Sequence, residues 1–525
     1  MGNIREVQTA TESERKYDVP EDFVLPQLAG AGDAETHDLD ATYFDTEDLR
    51  LARNKRTLRR RTGGSDAGWH LKTPGDGSSR AEHRLPPDGD GVPDELVSEV
   101  RAIVRAEPLR PVARLRTHRV ETPLRDDAGR ILALVAQDQV SAETDGHQQH
   151  WQEIEVELVD GDPELLDAVE RELIQAGARP ATGPSKLARA LGDRLDTVAT
   201  SNGQGQNKIK KNPVLRYARE QRDAIQEYDP GVRHGDPEAV HKMRVATRRL
   251  RSTLRTFKRS FPQDQVEFLQ PELKWLAGEL GEVRDGQVLE HKLLDAVNLE
   301  GPEFTPVADR IREHLDAKIE NGRQALARDL DGPRYLRLLD AVDELVDSAP
   351  PANGSASPAK GWASPGKNSA SPGKNSATPG KDSASPGKDS AAPGKSDPVK
   401  RARKVLRKAD RLLDEATLGN HDEPLHEARK AYKKARYAVE VFVPSVGKPA
   451  KKLTKRLTDL QDVLGAHQDS VVAREILSDL AGGAGEAFPY GVLHARQEQI
   501  GRDTLGNLPG VVGPARKRKI RRWLG

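Results

Sequence analysis

Polar and apolar residues alternate through much of the first 195 positions. Runs of period two fall at Val7–Val19, Ala41–Phe44, Arg56–Arg61, Trp69–Lys72, Val112–Val120, Ile131–Val140 and Trp151–Leu158, the period of strands with distinct faces. Gly/Asp/Pro turns such as Gly63-Gly64, Gly75-Asp76 and Asp88-Gly89-Asp90-Gly91 separate them. Helical patches interrupt at Pro93–Arg105 and Pro163–Ala176. Strands without βαβ alternation predict an antiparallel sheet or closed barrel. Thr197–Asn212 reads as a Ser/Asn/Gln/Gly linker, and the chain beyond it is helical. Between Ala356 and Lys395 a seven-residue unit, Ala-Ser-Pro-Gly-Lys-Asn/Asp-Ser with small variations, repeats six times, and its Pro-Gly excludes a coiled coil. The expected organisation is α+β multidomain: a strand domain over 5–195, a linker over 196–212, and an all-α domain over 213–520 interrupted by a low-complexity insertion at 351–398.

Charge changes this picture. Glu12, Glu14 and Lys16 alternate, as do Arg59 and Arg61, and Glu153, Glu155 and Glu157. Each set shares one strand face, which no core accepts unless a metal or polyanion occupies it. The interior of the sheet is therefore predicted to be ionised. The chain has no cysteine, so any metal must be held by oxygen or histidine. No apolar run suits a signal peptide or membrane span, which leads us to expect a cytoplasmic protein without a membrane partner. The zero net charge is unevenly distributed: residues 1–200 hold 26 Lys/Arg against 39 Asp/Glu, and residues 401–525 hold 25 against 15. Such asymmetry suggests a polyanion-binding half.

The helical part contains an internal repeat. His241, Arg244, Arg248, Arg251 and Arg255 correspond to His426, Arg429, Lys433, Arg436 and Glu440, and Leu280-Gly281 through Asp285 parallels Leu464-Gly465 through Asp469. Two copies of one unit imply pseudo-twofold packing. With His241 at zero, the four arginines of the first copy fall at about −60°, −20°, −80° and −40° at 100° per residue. Met243, Leu250, Leu254 and Phe257 lie opposite. A solvated face normally mixes signs; this one is cationic for four turns and occurs twice. Arginine forks suit phosphate oxygens. The lack of interleaved aromatics argues against nucleic acid and for a plain polyphosphate chain.

Inward bases around a phosphate chain and inward acids around a hard divalent ion, Mg²⁺ or Mn²⁺, suit phosphoryl transfer to water. The ordered motifs Glu12-x-Glu14-x-Lys16, Tyr43-Phe-Asp-Thr46, Leu58-Arg-Arg-Arg61, His70-Leu-Lys72, Arg80-Ala-Glu82, Arg114/Arg116/Arg119, Asp138, Glu153/Glu155/Glu157 and Ser185-Lys186 resemble those of a CYTH domain, the triphosphate tunnel metalloenzymes. Residues 213–520 resemble a CHAD domain. The resemblance implies an eight-stranded antiparallel tunnel that hydrolyses triphosphates with Mg²⁺ or Mn²⁺, followed by a module that binds polyphosphate. It implies that Lys16, Arg59, Arg61, Lys72, Arg80, Arg116, Arg119 and Lys186 hold phosphates. Glu12, Glu14, Asp138, Glu153, Glu155 and Glu157 would hold metal and water, with Glu12, Glu14, Lys72 and Glu155 closest to the chemistry and Glu82 a further acid. The groove would use His241, Arg244, Arg248, Arg251, Arg255, His426, Arg429, Lys433 and Arg436.

The expected partners are inorganic tripolyphosphate and long-chain polyphosphate, with granule association as a consequence. Cyclisation of ATP, hydrolysis of thiamine triphosphate or RNA 5′-triphosphate, and a non-catalytic polyphosphate receptor are the alternatives. Three departures stand out: Arg84 where family members often carry an acid, more than one register for the Arg114–Arg119 strand, and Glu440 opposite Arg255. His118, His147, His150 and His494 are read as surface or structural, and the Arg516–Arg522 cluster as a solvated tail. Asp285 and Asp469 are read as capping or pairing residues after Leu-Gly turns.

Overall fold

The computed structural model describes residues 8–64, 66–74, 80–89, 91–181, 183, 185–200, 212–347, 397–418, 422–482 and 487–525. The repeat expected at 351–398 falls almost entirely outside the described residues, as do the side chains of Glu12 and Arg80.

The alternating runs become β1 (Gln8–Glu12), β2 (Glu14–Asp18), β3 (Glu35–Asp45), β4 (Thr57–Thr62), β5 (Gly68–Pro74), β6 (Arg80–Leu85), β7 (Arg110–Arg125), β8 (Ile131–Thr144), β9 (His147–Leu158) and a two-residue β10 (Arg179–Pro180). Between them lie α1 (Arg50–Arg53), α2 (Asp94–Val104) and α3 (Pro163–Gln175), and α4 (Lys186–Thr200) follows. The two helical patches thus lie where their apolar period placed them. α4 runs past residue 195 into the expected linker.

The strand order is β1-β6-β5-β4-β3-β7-β8-β9-β2-β10. Only Ser13 separates β1 from β2, so one stretch of chain pairs with β6 through its first half and with β9 through its second. That shared strand closes the sheet. Counted this way, eight antiparallel strands surround the interior, as expected; the higher count comes from the break at Ser13 and from β10.

Outward side chains build separate cores under α2 and α3. Leu58, Trp69, Leu71 and Leu85 pack on Leu96, Val100 and Ile103 of α2. Tyr17, Ile154 and Val156 pack on Leu166, Val169 and Leu173 of α3. Each fully buried aliphatic side chain contributes about 1.5–3 kcal/mol. A third cluster is formed by inward side chains: Tyr43, Leu115, Val140 and Trp151 meet Leu187, Ala190 and Leu191 of α4, which fixes the start of that helix, and Lys186 with it, against the barrel.

The helical part comprises α5 (Pro213–Arg233), α6 (Pro237–Thr256), α7 (Gln263–Asn298), α8 (Thr305–Asp331), α9 (Pro333–Asp347), α10 (Pro398–Thr417), α11 (Asp422–Glu440), α12 (Val443–Val446), α13 (Lys448–Gly482), α14 (Phe488–Gly506), α15 (Leu508–Arg516) and α16 (Arg518–Arg521). The repeat carries into the elements: α6 and α11 are helices of 20 and 19 residues, and α7 and α13 of 36 and 35. Phe257 and its counterpart Phe442 meet edge to face, ring centroids 6.2 Å apart. Leu250, Leu254, Ala435 and Val439 are buried behind the cationic face, as the helical period requires.

A candidate triphosphate tunnel and a cationic groove

Cross-strand register decides which charges meet inside the barrel. Lys16 faces Glu155, Asp138 faces both Arg119 and Glu153, and Lys72 faces Glu82. Tyr43, Arg59, His70 and Arg84 form one continuous row across four strands. The inward side chains line a polar cavity of about 100 Å³ that includes Glu14, Lys16, Arg59, Arg61, Lys72, Arg119, Glu155, Glu157 and Lys186.

Arg116 is a correction. It is 64% exposed and turns outward toward Asp40, as Arg114 does. Residues 116 and 119 differ by three, so a strand cannot point both inward. Arg119 wins: its Nε and Nη2 bind Asp138 at 2.8 and 2.7 Å, and Nη2 also reaches Glu155 at 2.8 Å.

Lys186 organises the acidic wall. Its Nζ lies 2.9 Å from Asp138, 2.7 Å from Glu153 and 2.7 Å from Glu155. Burial alone would lower its pKa, but Glu155, Asp138 and Glu153 outweigh burial and raise it. Glu155 is held well below the usual carboxylate range despite burial, by Lys16, Lys186 and Arg119. On the opposite wall cations crowd one another: burial, Arg59 and Arg119 push Arg61 down to about 9, although Arg61 also pairs with Asp66. An interior that compresses its own guanidinium groups is ready for an anion.

The three acids Asp138, Glu153 and Glu155 place one oxygen each within 4.8 Å of one another, a spacing open to a metal. That space already holds the ammonium of Lys186. Glu14 and Glu157, Cα partners across β2 and β9, also line the cavity and supply the hard oxygens Mg²⁺ prefers. The donor set fits such an ion.

Glu82 is fully buried between His70, Lys72 and Arg84, and Arg84 Nε reaches it at 2.5 Å. The residue that departs from the family pattern thus neutralises the neighbouring acid. His70 stands in the His70-Leu-Lys72 motif, where the sequence gives it no role. Its Nδ1 lies 3.0 Å from Glu82 and its Nε2 2.8 Å from the Asp66 carbonyl, and a neutral ring donates to only one of them. Burial pushes its pKa down to about 4. Its place in the alternating row with Arg59 and Arg84 was the available signal.

In the helical part a groove of about 530 Å³ is lined by Arg244, Arg248, His426, Arg429 and Lys433, with Lys292, Lys318 and Lys430 in addition. Arg248, Lys318 and Lys433 form no ion pair among the described residues. Burial, then Arg248, Arg429 and Arg244, drives the Lys433 amine down to about 7.

Four expected groove residues lie outside this lining: His241, Arg251, Arg255 and Arg436. Arg436 is bound by Gln461 and Glu440, each at 3.0 Å. Glu440 is no weak end of a stripe; it is buried and also holds Arg249 at 3.1 Å and the Tyr217 hydroxyl at 2.7 Å. The Leu-Gly pairs are not turns either. Gly281 and Gly465 sit inside α7 and α13, and a Cβ at either would come 3.4 or 3.5 Å from the guanidinium of Arg244 or Arg429. Arg244 then forks onto Asp285 with two 2.7 Å bonds, and Arg429 lies 3.7 Å from Asp469. Both aspartates border the groove.

A CYTH domain model matches residues 10–189 and a CHAD domain model matches residues 216–478. This chain is a CYTH–CHAD protein. This CYTH–CHAD protein is 37% identical over 524 residues to an uncharacterized protein of Mycobacterium tuberculosis, covering 93% of each chain. Among solved structures, PptA from Streptomyces chartreusis matches at 18% identity and TM-score 0.44, over 57% of this chain and 98% of that one. The CHAD domain of the plant Ricinus communis matches at 25% identity and TM-score 0.34, over 59% and 87%. No described helix of the CYTH–CHAD protein is long and apolar enough to cross a membrane.

Proposed function

We propose that the CYTH tunnel hydrolyses inorganic tripolyphosphate with Mg²⁺ or Mn²⁺ and that the CHAD groove binds longer polyphosphate. One observation carries the first half: Lys16, Arg59, Arg61, Lys72, Arg119 and Lys186, brought together from five separate elements, line a single cavity with Glu14, Glu155 and Glu157. Cations alone would make a receptor. Interleaved hard-oxygen acids serve hydrolysis, where charge must be neutralised and a water positioned.

Arg59, Arg61 and Lys72 bind and orient phosphate oxygens on one wall, with Tyr43 Oη accepting from Arg59 at 3.4 Å. Lys16, Arg119 and Lys186 face them and keep Glu155 ionised. Glu14 and Glu157 would hold a divalent ion, which supplies neutralisation of the developing phosphate charge and a more acidic bound water. Glu155, unprotonated at neutral pH, would accept a hydrogen bond from the attacking water. The apolar contacts of α4 with Leu115 and Trp151 help exclude bulk water from that end.

The test is phosphate release by the full chain from tripolyphosphate, ATP, thiamine triphosphate and a 5′-triphosphorylated RNA, each with and without Mg²⁺ or Mn²⁺. The reading expects metal-dependent release with tripolyphosphate preferred. Preference for any of the others assigns the tunnel to that substrate. Absence of turnover, with tripolyphosphate affinity unchanged by chelator, makes it a receptor.

A further inference from the structure

The groove does not account for all the unpaired positive charge in the helical part. Past its mouth, the α6 stripe continues with Arg251 and Arg255, neither of which lines the groove or forms an ion pair among the described residues. Arg401, near the start of α10, donates from Nε to the carbonyl of Thr256 at 3.0 Å, which brings α10 to the end of that stripe. On α11, Lys434 follows the groove residue Lys433 directly. Its amine is pushed down to about 8 by burial and then by Arg255, Arg401 and Lys408. Arginines and lysines of three helices therefore share one neighbourhood.

From there α10 offers a basic face of its own. Taking Lys400 as zero, Arg407, Arg411, Lys404, Lys408 and Arg401 fall at about −20°, 20°, 40°, 80° and 100°. Ala402, Leu406, Ala409 and Leu413 are buried on the other side of the helix. No acid occurs between Lys400 and Ala409. α10 contains 20 residues, a length of about 30 Å.

We infer that a polyphosphate chain held in the groove leaves it over Arg251, Arg255 and Lys434 and runs on along the Arg401–Lys404–Lys408 face of α10. This rests on the groove reading above and extends it: the site is longer than its cavity, and the extension recognises only chains long enough to emerge. A repeating phosphate chain suits it better than a duplex, because the track continues a groove and no aromatic side chain interrupts the α10 basic face for bases to stack on.

The experiment compares short and long size-fractionated polyphosphate binding to the full chain in chelator. Lys404→Glu/Lys408→Glu is the test variant. Lys451→Glu/Lys452→Glu, on the exposed start of α13, is a control with the same change of net charge. The track predicts that the test variant loses about tenfold or more for the long fraction only. Its log K against log salt slope should become shallower by about 1–2, as the loss of two phosphate contacts requires. The control should bind both fractions normally. An unchanged long-fraction affinity overturns the track, as does equal loss in the control, which would make the effect one of overall charge. Duplex DNA competing as well as long polyphosphate also overturns it. Arg248→Glu tests the groove separately and should weaken both fractions; if it does not, the groove reading fails irrespective of α10.

Discussion

Replacing Lys186 with Met isolates the part of the tunnel that looks most like a metal site. The ammonium touches Asp138, Glu153 and Glu155, but these acids are not equally dependent on it. Arg119 retains Asp138 and Glu155. Among the described residues Glu153 keeps only the Trp151 indole N–H, at 2.6 Å. Removing one partner of a buried ion pair costs about 3–5 kcal/mol, and Arg119 places the value near the lower end, about 3 kcal/mol. For a domain of this size that is roughly 6–12 °C in Tm.

The sign with pH follows from the carboxylates. Asp138 and Glu155 are depressed in the folded protein, so their contribution is present above the unfolded carboxylate value and disappears as pH falls through the folded one. The Met variant weakens that contribution, so the gap to wild type should narrow below about pH 4. Mg²⁺ should raise the Tm of the variant more than that of wild type, because three oxygens become available to it. Thermal unfolding of the full chain, followed by tryptophan fluorescence at several pH values with Mg²⁺ or chelator, reads all three effects. Equal stability at neutral pH, or a gap independent of pH, would refute the assignment of Lys186 as the counter-ion of the acidic wall.

Glu14→Ala and Lys72→Ala should each lower kcat for tripolyphosphate by about 10²–10³, the usual effect of removing one group that stabilises developing charge, with the circular dichroism spectrum unchanged. Arg116→Ala should leave turnover within twofold of wild type; a large loss would show that the outward arginine reaches substrate. Polyphosphate affinity should be flat below about pH 7 and fall above it by up to tenfold per pH unit, because phosphate binding requires Lys433, whose amine is depressed to about 7, to take up a proton. Lys433→Arg should abolish that slope in calorimetric titrations. Gly281→Leu and Gly465→Leu should weaken long-chain binding by displacing Arg244 and Arg429, while Gly281→Ala, at ordinary contact distance, should bind nearly normally.

The barrel was legible because its interior is ionised: period-two charge on β2, β4 and β9 has no other buried explanation. The helical repeat was legible for the same reason, since four turns of one sign occurred twice. What sequence could not supply was the partner of each charge. Lys186 lies 31 residues after Glu155 and on a different element, so nothing local announced that it would sit where a metal could. Arg116 was misassigned because Arg116, Thr117, His118 and Arg119 follow one another on β7 with both faces polar, and only pairing with Asp40 fixes the register. Arg436 and Glu440 are neighbours one turn apart whose shared burial depends on Tyr217 and Arg249 from other helices. The glycines of α7 and α13 were misread as turns because a helix-interior glycine that admits an arginine has the same local sequence as one that ends a helix.

The account stands on a triphosphate lying inside the barrel. A crystal structure with Mg²⁺ and a non-hydrolysable tripolyphosphate analogue tests that directly. The analogue is expected between the Arg59–Arg61–Lys72 wall and the Lys16–Arg119–Lys186 wall, with the ion on Glu14 and Glu157. An analogue bound only on the outer surface, with these side chains unmoved and still paired to one another, would contradict it.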